Sequence, residues 1–338
     1  MFVAFSLTTG RGAQTPPCEF EGVARIVAVG DVHGAYGRLV EILRAAGVID
    51  RADRWSAGRT HFVQLGDVLD RGPDSRKVLD LYRRLEREAS NAGGRVHVLM
   101  GNHEAMRVLG DLRYVAPGEY QAFATGSSSD LRAQAVASMP LEQRARLLAD
   151  TPLGMIELIR AFGASEPYGS FLRKLNAVVR INGFLFLHGG ISPAVASLRC
   201  AAINDTIRRE LSRDLSRTQS NLEASLVGRE DGPLWYRGLA LEPDTFGPQV
   251  DRILAAQQAS AVVIGHTVQP EGRIVSRFGG KVFLVDTGML EEYVPTGRAS
   301  ALEIRGNVFT AIYTDRRDVI AGARAPGAQV GGRASERR

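Results

Sequence analysis

The chain has 338 residues, enough for one large α/β domain or two small ones. Hydrophobic residues make up 44% and charged residues 23%, which excludes a disordered, highly charged chain, and no apolar run is long enough to cross a membrane. The net charge is +5; lysine occurs only at Lys77, Lys174 and Lys281, and no Lys/Arg run forms a nucleic-acid-binding arm.

Residues 1–22 read as a leader or a disordered N-terminus. Met1 to Leu7 is apolar but short and lacks a basic start, and Pro16-Pro17 blocks helix. A signal-peptide remnant with a cleavage site near Gly12-Ala13-Gln14 and a plain disordered tail both fit this stretch.

From 23 to 104 strands and helices alternate. Ile26-Val27-Ala28-Val29 and Phe62-Val63-Gln64-Leu65 each run into Gly and then Asp, and Val96-His97-Val98-Leu99-Met100 runs into Gly101 and then Asn102. Helical apolar spacing at 38–46 and 76–91 separates them, the rhythm of a buried parallel sheet. In such a sheet the site lies along the carboxyl edge of the strands. Residues 105–177 lack strand signals. They read as a helical insert, with helices over 131–139, 141–150 and 155–162 and a mobile loop over 118–129. Sheet character returns over 178–187 and ends at His188; 197–225 reads as helical, as does 248–258. Ala261-Val262-Val263-Ile264 ends at Gly265-His266. Short strands follow over 273–278, 281–285, 300–304 and 308–313, with hairpin turns at Gly279-Gly280 and Gly306-Asn307. One domain over 23–318 and a disordered tail over 319–338 complete the layout.

Five strands therefore end on residues that can bind a metal. A lone Asp after a strand-end Gly is more often a turn or cap residue, and a lone His is more often structural. The chain has six histidines, and His33, His103, His188 and His266 all fall inside these tips. His61 and His97 lie within strands and are read as structural. Asp31, His33, Asp67, Asn102, His188 and His266 form a coherent metal set without a thiolate, suited to Mn, Fe or Zn. Asp67 could bridge two ions through its two oxygens. Two ions about 4 Å apart would clamp both ends of an in-line displacement at phosphorus. His103 adjoins Asn102, so its side chain should point away from the metal face; Asp70 could orient its imidazole as a general acid. Arg71 offers a planar fork for phosphate oxygens, and Arg237 is a second candidate clamp. Glu104 reads as a residue that orients the loop, and Trp235 as core.

Gly30-Asp31-Val32-His33-Gly34, Gly66-Asp67-Val68-Leu69-Asp70-Arg71-Gly72, Gly101-Asn102-His103-Glu104 and His188-Gly189-Gly190 resemble the four signature blocks of the calcineurin-like metallophosphoesterases. The match is nearest to the phosphoprotein phosphatase branch and covers about residues 24–315. The resemblance implies a four-layer αββα sandwich of two mixed sheets with a two-metal centre at the sheet edge. It implies that Asp31 and His33 hold the first ion, Asp67 bridges, and Asn102, His188 and His266 hold the second. His103 with Asp70 would be the acid pair, and Arg71, Arg237 and the Asn102 amide would contact phosphate.

Two departures stand out. Where the eukaryotic Ser/Thr enzymes carry SAPNYC, this chain reads Leu284-Val285-Asp286-Thr287-Gly288-Met289. The last histidine block, Gly265-His266-Thr267-Val268, lacks the second histidine of the wider superfamily, which leaves the first metal fewer protein ligands. The long insert and the missing SAPNYC are similar to the bacterial-type Shewanella-like phosphatases. The expected function is that of a phosphoprotein phosphatase, on phosphotyrosine or phosphoserine/threonine, working by direct attack of a metal-bridging hydroxide. A dinucleoside-tetraphosphate hydrolase shares the same blocks, and a non-enzymatic phosphoprotein-binding module is a further alternative, although all six ligands are present. Cys18 and Cys200 are either two small buried residues or a disulfide that closes a long loop; a disulfide would fit an exported or periplasmic enzyme rather than a cytoplasmic one.

Overall fold

In a computed structural model, residues 16–320 are described. The leader residues up to 15 and the tail from 321 lie outside them. Among the described residues, twelve strands form two six-stranded sheets. The first sheet contains β1 (Glu19–Phe20), β5 (Val178–Ile181), β6 (Phe184–Leu187), β7 (Ala261–Ile264), β8 (Val275–Arg277) and β9 (Val282–Leu284), in the order β1-β5-β6-β7-β9-β8. The second contains β2 (Ile26–Val29), β3 (His61–Gln64), β4 (Arg95–Val98), β10 (Ser300–Arg305), β11 (Val308–Tyr313) and β12 (Arg317–Ile320), in the order β12-β11-β10-β2-β3-β4. Both sheets are mixed. They pack face to face, with the Phe309 ring stacked 4.2 Å from Phe283 and edge-on to Phe184 at 5.2 Å.

Helices cover the outer faces, which gives the four layers. Helix Ser75–Asn91 buries Val78, Leu79, Tyr82 and Leu85, spaced for one helical face, and Tyr82 meets Phe62 of β3 at 5.9 Å. Helix Tyr36–Ala45 buries Leu39, Val40, Ile42 and Leu43 in the same way.

Each sheet carries three mutually parallel strands. They are β2, β3 and β4 in one sheet and β6, β7 and β9 in the other. Their cores of three or four residues are almost wholly buried, as the continuous apolar runs require. Register lines up Val29, Gln64 and Val98, and likewise Leu187, Ile264 and Leu284. Six strand ends thus open onto one edge.

Several expected elements differ from those observed. Residues 178–187 are a hairpin, turned at Asn182-Gly183 with φ of 51° and 77°. The stretch 197–225 breaks into Cys200–Glu210, Leu215–Ser220 and a 3₁₀ turn at Leu222–Ala224. Within residues 118–129 only 124–127 form a turn; the rest is helical. Pro117 starts a helix over Pro117–Phe123 that buries Glu119, Tyr120 and Phe123. The leader and tail give up residues at their inner ends, because Glu19–Phe20 pairs with β5 and Arg317–Ile320 with β11.

Cys18 and Cys200 are joined by a disulfide, with Cα atoms 6.3 Å apart across 182 positions. It ties the first strand to helix Cys200–Glu210. Closing so long a loop is worth about 5 kcal/mol at most in the chain-entropy view, so Cys18→Ser should lower Tm by on the order of 10 °C. Thiol titration of the denatured, unreduced protein should find none free; two free thiols would remove the bond.

Candidate metal centre

The site lies where the six parallel strands end. Asp31 is two residues past Val29, Asp67 three past Gln64 and Asn102 four past Val98. His188 directly follows Leu187, and His266 is two past Ile264. The backbone turns sharply at these tips. Nine non-glycine residues have positive φ among the described residues, and His33, Asp67, Asp70, Arg71 and His266 are five of them. Strained backbone concentrates at sites that the fold must over-determine. Gly101 is required where it stands, since a Cβ there would sit 2.4 Å from the Asp67 nitrogen.

Glu104 holds the two loops in register. Its carboxylate accepts the backbone N–H groups of Asp67 at 2.8 Å, Val68 at 2.8 Å, Leu69 at 3.2 Å and Gly101 at 2.9 Å. This is the loop-orienting role the sequence suggests, performed from inside the protein.

The imidazoles face inward with fixed tautomers. His188 Nδ1 donates to the Leu65 carbonyl at 2.9 Å and His33 Nδ1 to Leu69 at 2.9 Å, so both Nε2 atoms are bare acceptors. His188 Nε2 faces Asn102 Oδ1 at 2.8 Å, His266 Nδ1 at 3.1 Å and Asp67 Oδ2 at 3.3 Å. His33 Nε2 faces Asp67 Oδ2 at 3.7 Å and Asp31 Oδ2 at 4.0 Å. Nitrogen and oxygen donor atoms that converge in this way suit a cation between them. Asp67 belongs to both clusters, with His33 and His103 on one side and His188 and His266 on the other. The donor set therefore fits two cations sharing the Asp67 carboxylate.

The ionisation states agree. Burial pushes His33 down to about 4 and His266 down to about 2, so both imidazoles are neutral, as ligation requires.

His103 and Asp70 meet as a pair. His103 Nδ1 donates to Asp70 Oδ2 at 2.7 Å. Asp70 Oδ1 accepts from Arg107, which donates to Glu119 at 2.7 Å. Burial works against the His103 imidazolium, yet Asp67 and Asp70 prevail and the net shift is upward. The ring does not turn away from the metal face, as expected from its neighbour, but reaches 3.8 Å from Asp67 Oδ2. Asn102 and His103 open helix Asn102–Leu109, where successive side chains diverge by only about 100°.

The calcineurin-like phosphoesterase family model matches residues 24–270, most of the chain. The chain belongs to the calcineurin-like phosphoesterases. It is 30% identical to Shewanella-like protein phosphatase 2 of Arabidopsis thaliana over 87% of this chain and 78% of that protein. Shewanella-like protein phosphatase 1 of Plasmodium berghei is 28% identical over 78% of this chain and 67% of its own. The crystal structure of the cold-active protein-tyrosine phosphatase of a psychrophilic Shewanella superposes with a TM-score of 0.72 at 30% identity, covering 90% of this chain and 83% of that one. This phosphoesterase thus groups with the Shewanella-like protein phosphatases, in a family that works with two metals.

Around the metal-ligand cluster, the phosphoesterase places an aromatic collar that the sequence does not announce. The Arg71 guanidinium lies between the rings of Tyr293, 3.9 Å away, and Tyr114, 4.9 Å away. Trp235, read as core, is half-buried and stands edge-on to His266 at 6.0 Å. Arg237 lines the same cavity, but it also donates to the His266 carbonyl at 2.6 Å and Thr267 Oγ1 at 3.1 Å, which steadies that loop. His61 and His97 bond each other at 3.1 Å, separate from the site.

Asp286 is the polar residue that sequence patterns alone leave unmarked. It is buried, lines the cavity and touches Asp31. A signal is present: Val282-Phe283-Leu284-Val285 is another apolar strand that ends on Asp, without the Gly that precedes Asp31, Asp67, Asn102 and His266.

Proposed function

We propose that this chain is a two-metal phosphomonoesterase for phosphoproteins, with phosphotyrosine as its preferred substrate. The observation that carries the reaction type is Asp67, one carboxylate shared by two clusters of inward-facing imidazoles. On this reading Asp31 and His33 hold the first ion, Asp67 bridges, and Asn102, His188 and His266 hold the second. The ligands are oxygen and imidazole nitrogen, which suits Mn, Fe or Zn. Ions bound there would supply Lewis-acid chemistry: lowering the pKa of a water for attack and neutralising phosphoryl charge.

The chain's own groups do the rest. His103 keeps its Nδ1 proton, donated in a hydrogen bond to Asp70, and delivers the Nε2 proton to the leaving oxygen. Arg71 is held flat by its two tyrosines, ready to take phosphoryl oxygens through its fork. Arg237 and the Asn102 amide contact the same group. Tyr114, Tyr293 and Trp235 ring the mouth, and partly exposed aromatic faces suit an aryl phosphate better than a hydroxyalkyl one. The likeness to a protein-tyrosine phosphatase structure supports the same choice.

The test is a panel of phosphotyrosine peptide, phosphoserine peptide and diadenosine tetraphosphate, each with Mn²⁺ and each after chelation. The phosphotyrosine peptide should have the highest kcat/KM, chelation should abolish turnover and Mn²⁺ should restore it. Preferential cleavage of diadenosine tetraphosphate would overturn the substrate assignment, and full activity after chelation would overturn the metal one.

A further inference from the structure

With two metals bound as proposed, the Asp31, His33 and Asp67 position has three side-chain ligands. The geometry points to Asp286 as a fourth protein ligand for that ion. This inference rests on the two-metal reading and adds a residue to it.

Three observations converge on Asp286. The first is register. Leu284 of β9 pairs with Ile264 of β7, and Asp286 and His266 each follow their partner by two residues. The two side chains therefore leave equivalent positions on neighbouring parallel strands, and His266 stands among the metal-binding groups. The second is a close approach between the sheets. Gly30, the residue before Asp31, has no Cβ; one placed there would lie 2.5 Å from the Val285 carbonyl oxygen and 2.9 Å from the Asp286 Cα. Glycine lets the end of β9 lie against the end of β2, which brings the Asp286 and Asp31 carboxyl groups into contact.

The third is the hydrogen-bond inventory. Asp286 is 1% exposed. Its Oδ1 accepts the Gly288 N–H at 3.0 Å, whereas its Oδ2 is buried without a hydrogen-bond donor. Asp31 Oδ1 is already occupied by the His266 N–H at 3.0 Å, so the two carboxylates abut with one free oxygen each. Two adjoining buried carboxylates without a donor between them are costly unless a cation or a shared proton lies there. With a cation, the position has three carboxylates and one imidazole, harder than the side holding Asn102, His188 and His266. The two ions then occupy unlike sites.

Mn²⁺ titration of the full, chelator-stripped chain tests this, read by bound metal per chain and by electron paramagnetic resonance. Wild-type protein should take up two ions and give an exchange-coupled spectrum. Asp286→Ala should hold one ion tightly with an uncoupled six-line signal, and its second ion should bind at least ~100-fold more weakly. That threshold is the upper end of what losing an outer partner of a ligand costs. A smaller loss would make Asp286 an outer partner, or one half of a proton-sharing pair, and overturn the assignment. Circular dichroism and an intact disulfide check the fold. If Asp286→Ala does not fold, Asp286→Asn, which keeps the volume and loses the charge, is read against the same threshold. Wild-type protein that takes up fewer than two ions would instead overturn the two-metal reading itself.

Discussion

His103→Asn should lower kcat on an alkyl phosphate by roughly 10²–10⁴-fold, and on an aryl phosphate with a good leaving group by much less. The difference follows from what the leaving oxygen needs: an alkoxide must be protonated as the bond breaks, whereas a stabilised phenoxide can depart with little help. The structure builds this acid from several layers. Asp70 holds Nδ1 of His103, Arg107 holds Asp70, and Glu119 holds Arg107, all four buried. Ser75 closes the chain by donating to Glu119 at 2.9 Å. The Nε2 atom is thereby left aimed at the cavity with its tautomer set. Asparagine preserves a polar side chain at the start of the helix but cannot carry the proton. Equal losses on both substrates would sink the general-acid role and make His103 a binding group, or a further ligand beside His33 and Asp67.

The second large effect is expected from Asp67→Asn. This substitution is nearly isosteric, and a carboxamide oxygen can still accept the His103 backbone N–H that Asp67 Oδ1 takes at 3.1 Å. What changes is the other atom. Oδ2 lies 3.3 Å from His188 Nε2, 3.7 Å from His33 Nε2 and 3.8 Å from His103 Nε2. An NH₂ there presents donors to bare imidazole nitrogens and bonds them directly, and a cation has no place left between them. The variant should fold, lose both ions and lose about 10³-fold or more in kcat, since each bound ion is worth several kcal/mol of charge stabilisation. Asn102→Ala should lose only the ion on the His188 side. Metal analysis that finds two ions retained in Asp67→Asn would end the bridging role.

Several features are legible in the sequence because they are local. An apolar run that ends in Gly-Asp, Gly-Asn or His-Gly states both the strand and the residue at its tip. Four such tips match a family pattern in order, and their parallel strands have one edge at which to end. The loop-orienting role of Glu104 is legible for the same reason, lying three residues past Gly101 at the opening of a helix.

What escapes has a common cause, which is dependence on chain from far away in sequence. Glu119 looks like a surface residue of a polar loop, and it is buried only because Arg107 meets it there. Residues 118–129 therefore read as a loop, although their helix supports the acid. Tyr114 and Tyr293 are 179 positions apart by number and become a clamp only around Arg71. Trp235 is half core and half rim, and residue type cannot divide a ring in that way. Cys18 and Cys200 could be weighed as a pair but not joined, because no local pattern says that β1 adds to the edge of β5 beside helix Cys200–Glu210.

By itself the sequence determined the α/β class, the candidate metal-binding side chains at the strand ends and the phosphoesterase chemistry, because each is written in a few consecutive residues whose spacing obeys strand and turn geometry. The tertiary structure alone decided which of those side chains face one another, that Asp286 lies beside Asp31, and which aromatic rings close the mouth. Those outcomes depend on the register and face-to-face packing of two sheets, and such distances are set by the whole core rather than by any segment of it.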